Sequence, residues 1–196
     1  MNFDHALFLD RDGTLIKDCN GILTESKIEF EDGLEDFINH ALKTRFKIIM
    51  VTNQTAVSKG LMTYSEMDRI NNIVIKKMEK LLGSKIFNAV FICPFHPDAQ
   101  IKEFRYDSED RKPKPGMLIK AKKKFNISFN KSIMIGDRIS DVVAGNIVGC
   151  KTVIKINEFS SLRIIKTNLK YSNEMIKPDY TVNHLKEIIP IMDTIL

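Results

Sequence analysis

Two aspartates near the start of the chain are separated by a single residue, at the end of an apolar run that reads ALFLDRDGTL over residues 6–15. Asp10 and Asp12 would repel each other at this spacing unless a positive group lies close to them. A carboxylate can attack phosphorus as a nucleophile, and a second carboxylate beside it can protonate the leaving oxygen and later deprotonate water. The pair is therefore a candidate nucleophile and a candidate general acid/base.

Three later segments contain the other groups that phosphoryl chemistry requires. The segment VTNQT supplies Thr52 and Asn53 as donors for phosphoryl oxygens, and RKPKPG supplies Lys112 as a fixed positive charge. In IGDRISD, Asp137 could hold Mg²⁺ together with Asp10, since this hard cation prefers oxygen ligands. We therefore predict that a bound Mg²⁺ is the positive group between the first two carboxylates.

The elements that position these residues follow from the hydrophobic pattern. Short, almost continuously apolar runs indicate buried strands, and they alternate with segments of helical periodicity. The predicted strands span residues 6–10, 47–52, 89–93, 132–137 and 152–156, and the predicted helices span residues 34–44, 64–82, 116–125 and 140–148. This order predicts an α/β fold, a doubly wound Rossmann-like parallel sheet with helices on both faces, whose ligands bind at the carboxyl ends of the strands.

The C-terminal part of the chain has a less regular pattern. Residues 157–178 are ambiguous, whereas PDYTV and the following NHLKEII predict an edge strand and a final helix. We find no sign of a second domain, so residues 1–196 are predicted to form a single domain.

Composition and charge narrow the possible partners. The net charge is +5, but the lysines are spread over many segments, and KAKKKF at residues 120–125 is typical of a solvated helix face. A nucleic-acid partner is therefore not favoured. No apolar run reaches the roughly 20 residues that cross a bilayer, and three distant cysteines without CxxC spacing suit a reducing compartment. We expect a monomer in the cytoplasm.

Four motifs, DRDGT, VTNQ, RKPKPGM and GDRISD, occur in this order between about residues 3 and 155 and resemble those of the haloacid dehalogenase superfamily of phosphatases. Together with IEFEDG, CPFHP and EFRYDSED, they are most similar to the small capless branch that contains the heptose bisphosphate phosphatases and the histidinol phosphate phosphatases. The resemblance implies a fold without a large cap domain. The leaving group would then be recognised by loops such as residues 17–28 and 94–112.

The same resemblance implies roles for individual residues. Asp10 would be the nucleophile and Asp12 the acid/base, with Mg²⁺ bound by Asp10, by Asp137 and by the main-chain carbonyl of Asp12. Thr52 and Lys112 would steady the phosphoryl group. The substrate-binding candidates are Asn53, Gln54 and Arg111, and Arg138 and Asp141 stay open between support of the site and surface ion pairs.

One segment departs from the pattern of the branch. Its members usually carry a zinc loop of the form C-x-H followed by C-x-C, and the four corresponding positions here are Cys93, Phe95, Ser108 and Asp110. Tetrahedral zinc sites use about four nitrogen or sulfur donors, so we expect no structural zinc, the alternative being a substitute set of Cys93, His96 and Asp110. The segment DCNGIL at residues 18–23 also differs from the sequence that is usual in the branch.

The function predicted from these features is that of a Mg²⁺-dependent phosphomonoesterase that forms an aspartyl-phosphate. The substrate would be a small metabolite, most plausibly a heptose (bis)phosphate or related sugar phosphate used for surface glycan precursors. Histidinol phosphate, another small polyol phosphate and a nucleic-acid 3′-phosphate stay open as substrates. A hypothesis of another class is a non-catalytic regulator that binds a phosphorylated metabolite.

Overall fold

A computed structural model describes residues 4–19, 23–157 and 171–195. Six parallel strands form one sheet in the order β3-β2-β1-β4-β5-β6, and they are β1 (His5–Leu9), β2 (Phe46–Asn53), β3 (Ala89–Cys93), β4 (Ile133–Gly136), β5 (Lys151–Lys155) and β6 (Tyr180–Val182). The helices are α1 (Leu34–Leu42), α2 (Tyr64–Leu82), α3 (Gly116–Phe125), α4 (Ile139–Val148), α5 (Asn173–Ile176) and α6 (Ile189–Asp193). The predicted strands and helices are confirmed, with ends that differ by one or two residues.

Helices cover both faces of the sheet because the side chains of a strand alternate between its faces. In β1, Leu7 and Leu9 pack into a core shared with α1, α2 and the C-terminal segment. Ala6 and Phe8 point the other way and pack with α3. On that second face, α4 lies so close to the sheet that a Cβ on Gly145 would collide with Thr152. The doubly wound arrangement is therefore confirmed.

Local signals in the sequence account for several helix ends. Thr63 accepts a hydrogen bond from the Glu66 N–H, and the Glu66 carboxylate accepts one from the Thr63 N–H, which is the predicted capping box at the start of α2. Gly149 follows α4 with a φ of 80°, a left-handed conformation that costs glycine little. The lysines of α3 are exposed, as predicted for a solvated face.

The C-terminal prediction is partly corrected. The predicted edge strand is present as β6, but NHLKEII does not form one helix. Its residues Leu185–Ile188 form a 3-10 turn, and α6 begins after it, with Pro190 in its first turn, where the missing N–H has no cost. Of the ambiguous stretch, residues 158–170 lie outside the described residues.

The order of the strands fixes where a ligand can bind. From β1 the chain proceeds through β2 and β3 toward one edge, and from β4 through β5 and β6 toward the other. The crevice at such a switch point, here between β1 and β4, is the usual ligand site of open α/β sheets. Asp10 follows β1 and Asp137 follows β4. Among the described residues, the connections between strands contain no separate cap unit, and no helix has the length and apolar character needed to span a bilayer.

Candidate active site

Three buried carboxylates converge at the switch point. Asp10, Asp137 and Asp141 each place an oxygen within 4.8 Å of the others. Burial raises the pKa of Asp10 to about 6, and the neighbouring carboxylates add to the effect while Lys112 opposes it. Burial together with Asp10 and Asp141 raises the pKa of Asp137 to about 7. Negative charge is thus concentrated where it is poorly solvated, so the cluster favours a bound cation.

Lys112 brings a positive charge directly to the candidate nucleophile. Its Nζ lies 2.6 Å from Asp10 Oδ1 and 2.6 Å from Asp141 Oδ1, and it donates to the Val51 carbonyl at 2.7 Å. Burial lowers the pKa of the Lys112 ammonium, but the two carboxylates outweigh this effect and hold the pKa above its ordinary value. Lys112 is therefore a cation in the site, as the sequence predicts.

Asn53 fixes the segment that carries Lys112. Its Nδ2 donates to the Lys112 carbonyl at 2.9 Å, and its Oδ1 accepts from the Lys112 N–H at 3.1 Å. The side chain of Asn53 thus pairs with both main-chain groups of one residue and ties the end of β2 to the loop before α3. Asn53 therefore has a positioning role, and because it also lines the space beside Asp10, its predicted role in substrate binding stays a prediction.

Asp12 has its own cation, which the sequence reasoning missed. The Arg11 guanidinium donates to Asp12 Oδ1 from Nε at 3.0 Å and from a terminal nitrogen at 2.8 Å, and that nitrogen lies 2.9 Å from Oδ2. Lys112 and Arg11 thus each place a positive charge beside one of the two aspartates, and the predicted Mg²⁺ between them stays a prediction. The signal was present in the sequence, because Arg11 is the residue between the two aspartates.

Gln54 lies between Asp12 and Thr52 and also lines a cavity beside the site. Its Nε2 donates to Asp12 Oδ2 and to Thr52 Oγ1, both at 2.9 Å, and its Oε1 accepts from Arg11 at 2.9 Å. The Gln54 side chain is buried, and both of its polar atoms have protein partners. In this arrangement Gln54 can orient the acid/base candidate, and its predicted contact with the substrate stays a prediction.

Asp141 belongs to the site, which settles one open alternative. It is buried, it pairs with Lys112, and its Oδ2 accepts from the Arg138 N–H at 3.0 Å at the start of α4. A Cβ on Gly136 would collide with the Asp141 carboxylate, so this approach requires glycine. Arg138 is more exposed and lies 3.3 Å from Asp18 and 3.6 Å from Asp137.

The structure shows why a glycine, Gly13, follows the two aspartates. Its φ of 77° is left-handed, and a Cβ at this position would collide with the Asp137 carboxylate. The backbone after β1 can therefore pass over the end of β4 only without a side chain. Asp137 Oδ2 also accepts from Asn157 Nδ2 at 3.0 Å, which fixes the orientation of the carboxylate.

The segment that replaces the zinc loop is held by aromatic packing. The Phe95 ring lies 6.0 Å from the ring of Phe104 and 6.0 Å edge-on from that of Tyr106. The Phe95 carbonyl accepts from Arg111 at 3.2 Å. Arg111 thus lies against this segment, with its guanidinium partly buried. No contact in the described residues tests its predicted role in substrate binding.

The four usual zinc-ligand positions do not form a donor cluster. Cys93 is buried, Phe95 lies in the aromatic packing, and Asp110 forms a short ion pair with Lys120. Within the described ranges, the only group of His, Cys, Asp and Glu side chains arranged to hold a metal is the aspartate cluster. The absence of structural zinc from the 94–110 segment stays a prediction.

We therefore expect protein purified without added metal to contain well below one zinc per chain, because one thiol cannot replace about four nitrogen or sulfur donors. Elemental analysis measures the content directly, and a chelator followed by Mg²⁺ alone should restore full activity. Stoichiometric zinc that survives dialysis would contradict this prediction. Cys93→Ser and His96→Gln would then show whether the substitute set holds the metal.

A cavity of about 250 Å³ adjoins the site. Polar residues in its lining include Arg11, Asp12, Asn53, Gln54, Lys59 and Arg138. Apolar residues in its lining include Leu23, Met62, Met67 and Ile70. The cavity is large enough for a small organic group attached to a phosphate placed at Asp10. Residues 20–22 of the adjoining loop lie outside the described residues.

Comparisons with known proteins show the family to which the chain belongs. A HAD-hydrolase-like family model matches residues 110–188. D-glycero-alpha-D-manno-heptose-1,7-bisphosphate 7-phosphatase of Burkholderia mallei is 31% identical over 82% of this chain and 84% of its own length. The corresponding beta-named enzyme of Escherichia coli K12 is 33% identical over 76% of this chain and 78% of its own. The chain therefore belongs to the haloacid dehalogenase-like hydrolases, in the family of heptose bisphosphate phosphatases.

A solved structure supports the same architecture. The D,D-heptose 1,7-bisphosphate phosphatase of B. bronchiseptica, crystallised with magnesium and phosphate, superposes with a TM-score of 0.78. The likeness covers 97% of this chain and 98% of that one, at 18% sequence identity. At this identity it shows the shared fold.

Proposed function

We propose that this phosphoric monoester hydrolase removes phosphate from a heptose 1,7-bisphosphate or a related sugar phosphate, with Mg²⁺ as cofactor. The observation that carries the proposal is Asp10, a buried carboxylate that contacts Lys112 and lies beside Asp137 at the switch point of the sheet. A nucleophile, a fixed cation and a metal ligand then meet where α/β folds bind their ligands. The names of the relatives support the substrate class.

The carboxylate cluster fits a hard divalent cation. Asp10 and Asp137 offer oxygen ligands, which such a cation prefers. Their raised pKa values mean that both carboxylates would be stabilised by an additional positive charge. These two residues would hold Mg²⁺, together with the Asp12 carbonyl that the family resemblance implies. When bound, Mg²⁺ supplies positive charge to the phosphoryl oxygens and to Asp10.

The protein groups divide the reaction into two steps. In the first, an Asp10 oxygen bonds to phosphorus, the bond from phosphorus to the leaving oxygen breaks, and Asp12 gives its proton to that oxygen. In the second, Asp12 takes a proton from water, whose oxygen bonds to phosphorus and releases Asp10 and inorganic phosphate. Lys112 holds Asp10 in place and offsets the charge of the phosphoryl group.

The adjoining cavity suits a sugar that carries a second anionic group. Lys59 and Arg138 place positive charge in its lining, and apolar lining residues such as Met67 can contact the carbon skeleton. Arg111 is retained as a proposed contact to the substrate, since guanidinium groups bind phosphate in bidentate geometry. The monomeric state and the cytoplasmic location stay predictions.

Phosphate release by the purified protein with Mg²⁺ tests the proposal. The panel contains both anomers of D-glycero-D-manno-heptose 1,7-bisphosphate, histidinol phosphate and 3′-phosphorylated oligonucleotides. We expect the highest kcat/KM with a heptose bisphosphate. Comparing kcat/KM for the two anomers will show whether this protein prefers the alpha or the beta form. Higher kcat/KM with histidinol phosphate or an oligonucleotide would overturn the substrate, and no release from any compound would favour the non-catalytic regulator.

Asp12→Asn should affect substrates unequally. General acid help matters most when the leaving group is a poor one, so kcat/KM should fall by about 100-fold or more on a sugar phosphate. It should fall by less than about tenfold on 4-nitrophenyl phosphate, whose leaving group needs no proton. Asp36→Asn, at an exposed position on α1 and outside the loops expected to recognise the leaving group, is the control variant. Equal losses on both substrates would contradict the acid role.

Mg²⁺ should stabilise the protein in a pH-dependent way. The folded pKa values of Asp10 and Asp137, about 6 and about 7, exceed the ordinary value of 3.8, so the metal-free folded state holds protons that the unfolded state releases between these limits. The protein therefore loses the stability that these two groups contribute as the pH rises through that window, and inside the window protons compete with the cation for the same carboxylates. The rise in Tm on adding Mg²⁺ should be larger near pH 7 than near about pH 5.

Thermal unfolding in chelator and in Mg²⁺ measures this difference. Asp137→Asn removes one ligand and should abolish most of the Mg²⁺-dependent rise at neutral pH. An equal rise at both pH values, or an unchanged rise in Asp137→Asn, would contradict the assignment of the metal ligands.

A further inference from the structure

We propose that Arg11 is a positioning residue that fixes the carboxylate of Asp12 so that one particular oxygen, Oδ2, exchanges the proton with the leaving group. The inference rests on the proposed phosphatase function and concerns the acid/base step alone. Arg11 lies between nucleophile and acid/base in the sequence and is almost completely buried. It has no contact with Asp10 among the hydrogen bonds and ion pairs of the described residues.

The contacts of Arg11 distinguish the two oxygens of Asp12. Oδ1 accepts from Nε, a donor that no other group shares, and from a terminal nitrogen. Oδ2 accepts from the same terminal nitrogen, which also donates to Gln54 Oε1, and from the neutral amide of Gln54. Charge-assisted hydrogen bonds are the stronger ones, so Oδ1 is anchored more firmly than Oδ2. Oδ2 is the oxygen that can release its partners at the lower cost.

A buried residue of α2 anchors the guanidinium from its other end. The second terminal nitrogen of Arg11 donates to Asn71 Oδ1 in a short hydrogen bond, and Asn71 Nδ2 contacts Met67 Sδ at 3.2 Å. Asn71 is 2% exposed and lies in the apolar stripe of α2, between Ile70 and Val74. A polar side chain is costly in such a place unless it is hydrogen-bonded. Its position therefore indicates a specific partner, which is Arg11.

Fixing Asp12 matters because, without these hydrogen bonds, the open space beside its carboxylate would allow the side chain to rotate. Its side chain is 23% exposed and borders both the cavity and the small cleft at Asp10. A general acid works only within hydrogen-bond reach of the leaving oxygen, and a displacement of about 1 Å can cost about 100-fold in rate. The planar guanidinium, held by Asn71 behind and Gln54 beside, restricts the carboxylate to one orientation.

Two variants weaken this support without touching Asp12. Arg11→Lys keeps the positive charge but loses the planar pair of donors, and Asn71→Leu removes the rear anchor while filling the same volume. Asn72→Leu is the matched control, because Asn72 is exposed on α2 and its side chain bonds to Asp68 on the same helix. Each variant is assayed for kcat/KM on heptose 1,7-bisphosphate and on 4-nitrophenyl phosphate, with thermal unfolding measured in parallel.

We expect Arg11→Lys to lower kcat/KM on the sugar phosphate by about ten- to hundredfold and on the aryl phosphate by less than about threefold. Asn71→Leu should show the same selectivity with a smaller loss, and Asn72→Leu should match the wild type on both substrates. If Arg11→Lys fails to fold, Asn71→Leu carries the test alone. Equal losses on both substrates would overturn the proposal, since a merely structural role would not depend on the leaving group.

A double variant separates positioning from a general effect. In the Asp12→Asn background no proton can be donated, so Arg11→Lys should cause no further loss on the sugar phosphate. Losses that multiply would contradict the inference. Wild-type protein that hydrolyses none of the phosphate esters would instead refute the proposed function, so the two failures are distinguishable.

Discussion

Asp10→Asn should lower kcat by at least about a thousandfold on every phosphate ester, aryl or alkyl. The amide retains the size of the carboxylate but loses the charge that attacks phosphorus and helps to hold Mg²⁺. Because burial raises the pKa of Asp10, a neutral side chain is tolerated there, and the variant should fold with a Tm at or above that of the wild type in chelator. Phosphate release and thermal unfolding measure the two effects.

The control for this variant is Asp4→Asn, which changes a half-exposed carboxylate before β1 that pairs only weakly with Lys47 at 3.6 Å. It should leave both kcat and Tm near the wild-type values. Activity of Asp10→Asn within tenfold of the wild type would remove Asp10 from the role of nucleophile. Loss of the fold in Asp10→Asn would show instead that the carboxylate is structural.

Lys112→Met should reduce both activity and stability. It leaves Asp10 and Asp141 buried without their shared cation, and breaking a buried ion pair in this way costs about 3 to 5 kcal/mol in the free energy of unfolding. We expect kcat to fall by at least about 100-fold, because this is the usual loss when a group that stabilises charge in the transition state is removed. Lys114→Met, whose ion pairs are on the surface, should change the free energy of unfolding by less than about 1 kcal/mol.

A double variant separates the two consequences. Lys112→Met with Asp141→Asn removes one of the stranded charges, while the amide oxygen can still accept from the Arg138 N–H at the start of α4. Stability should therefore recover in part, whereas activity should not. Denaturant unfolding measures the free energy of unfolding, and phosphate release measures the activity. A double variant that recovers activity would exclude Lys112 from the chemistry.

Much of the site was predictable because its residues follow strands. The apolar runs define β1, β2 and β4, and parallel strands bring their carboxyl ends to one edge, so Asp10, Thr52 and Asp137 had to meet there. Lys112 was predicted from its motif, and the structure adds that its ammonium contacts Asp10 directly. These predictions depend on local pattern and on topology, both of which a sequence contains.

The supporting contacts were not predictable in the same way. If the strand continued, the side chain of Arg11 would point to the opposite face of the sheet from those of Asp10 and Asp12. The strand instead ends before the left-handed turn at Gly13, and the Arg11 guanidinium reaches Asp12. Asn71 joins it from a helix 60 residues away in sequence, a contact that only tertiary packing determines. A polar residue inside the apolar stripe of α2 was the available signal. Asn53 and Gln54 were placed correctly at the strand end, yet their amides face protein atoms.

The wide separation of the site residues along the chain has a consequence for synthesis in the cell. Asp10 meets Lys112 across 102 positions, and the partners from β4 and α4 emerge from the ribosome later still. A nascent chain therefore carries the nucleophile long before it can hold the metal or orient the phosphoryl group. Truncated products that end before residue 137 should be inert toward cellular phosphate esters, so incomplete translation cannot release a partly active and unselective hydrolase.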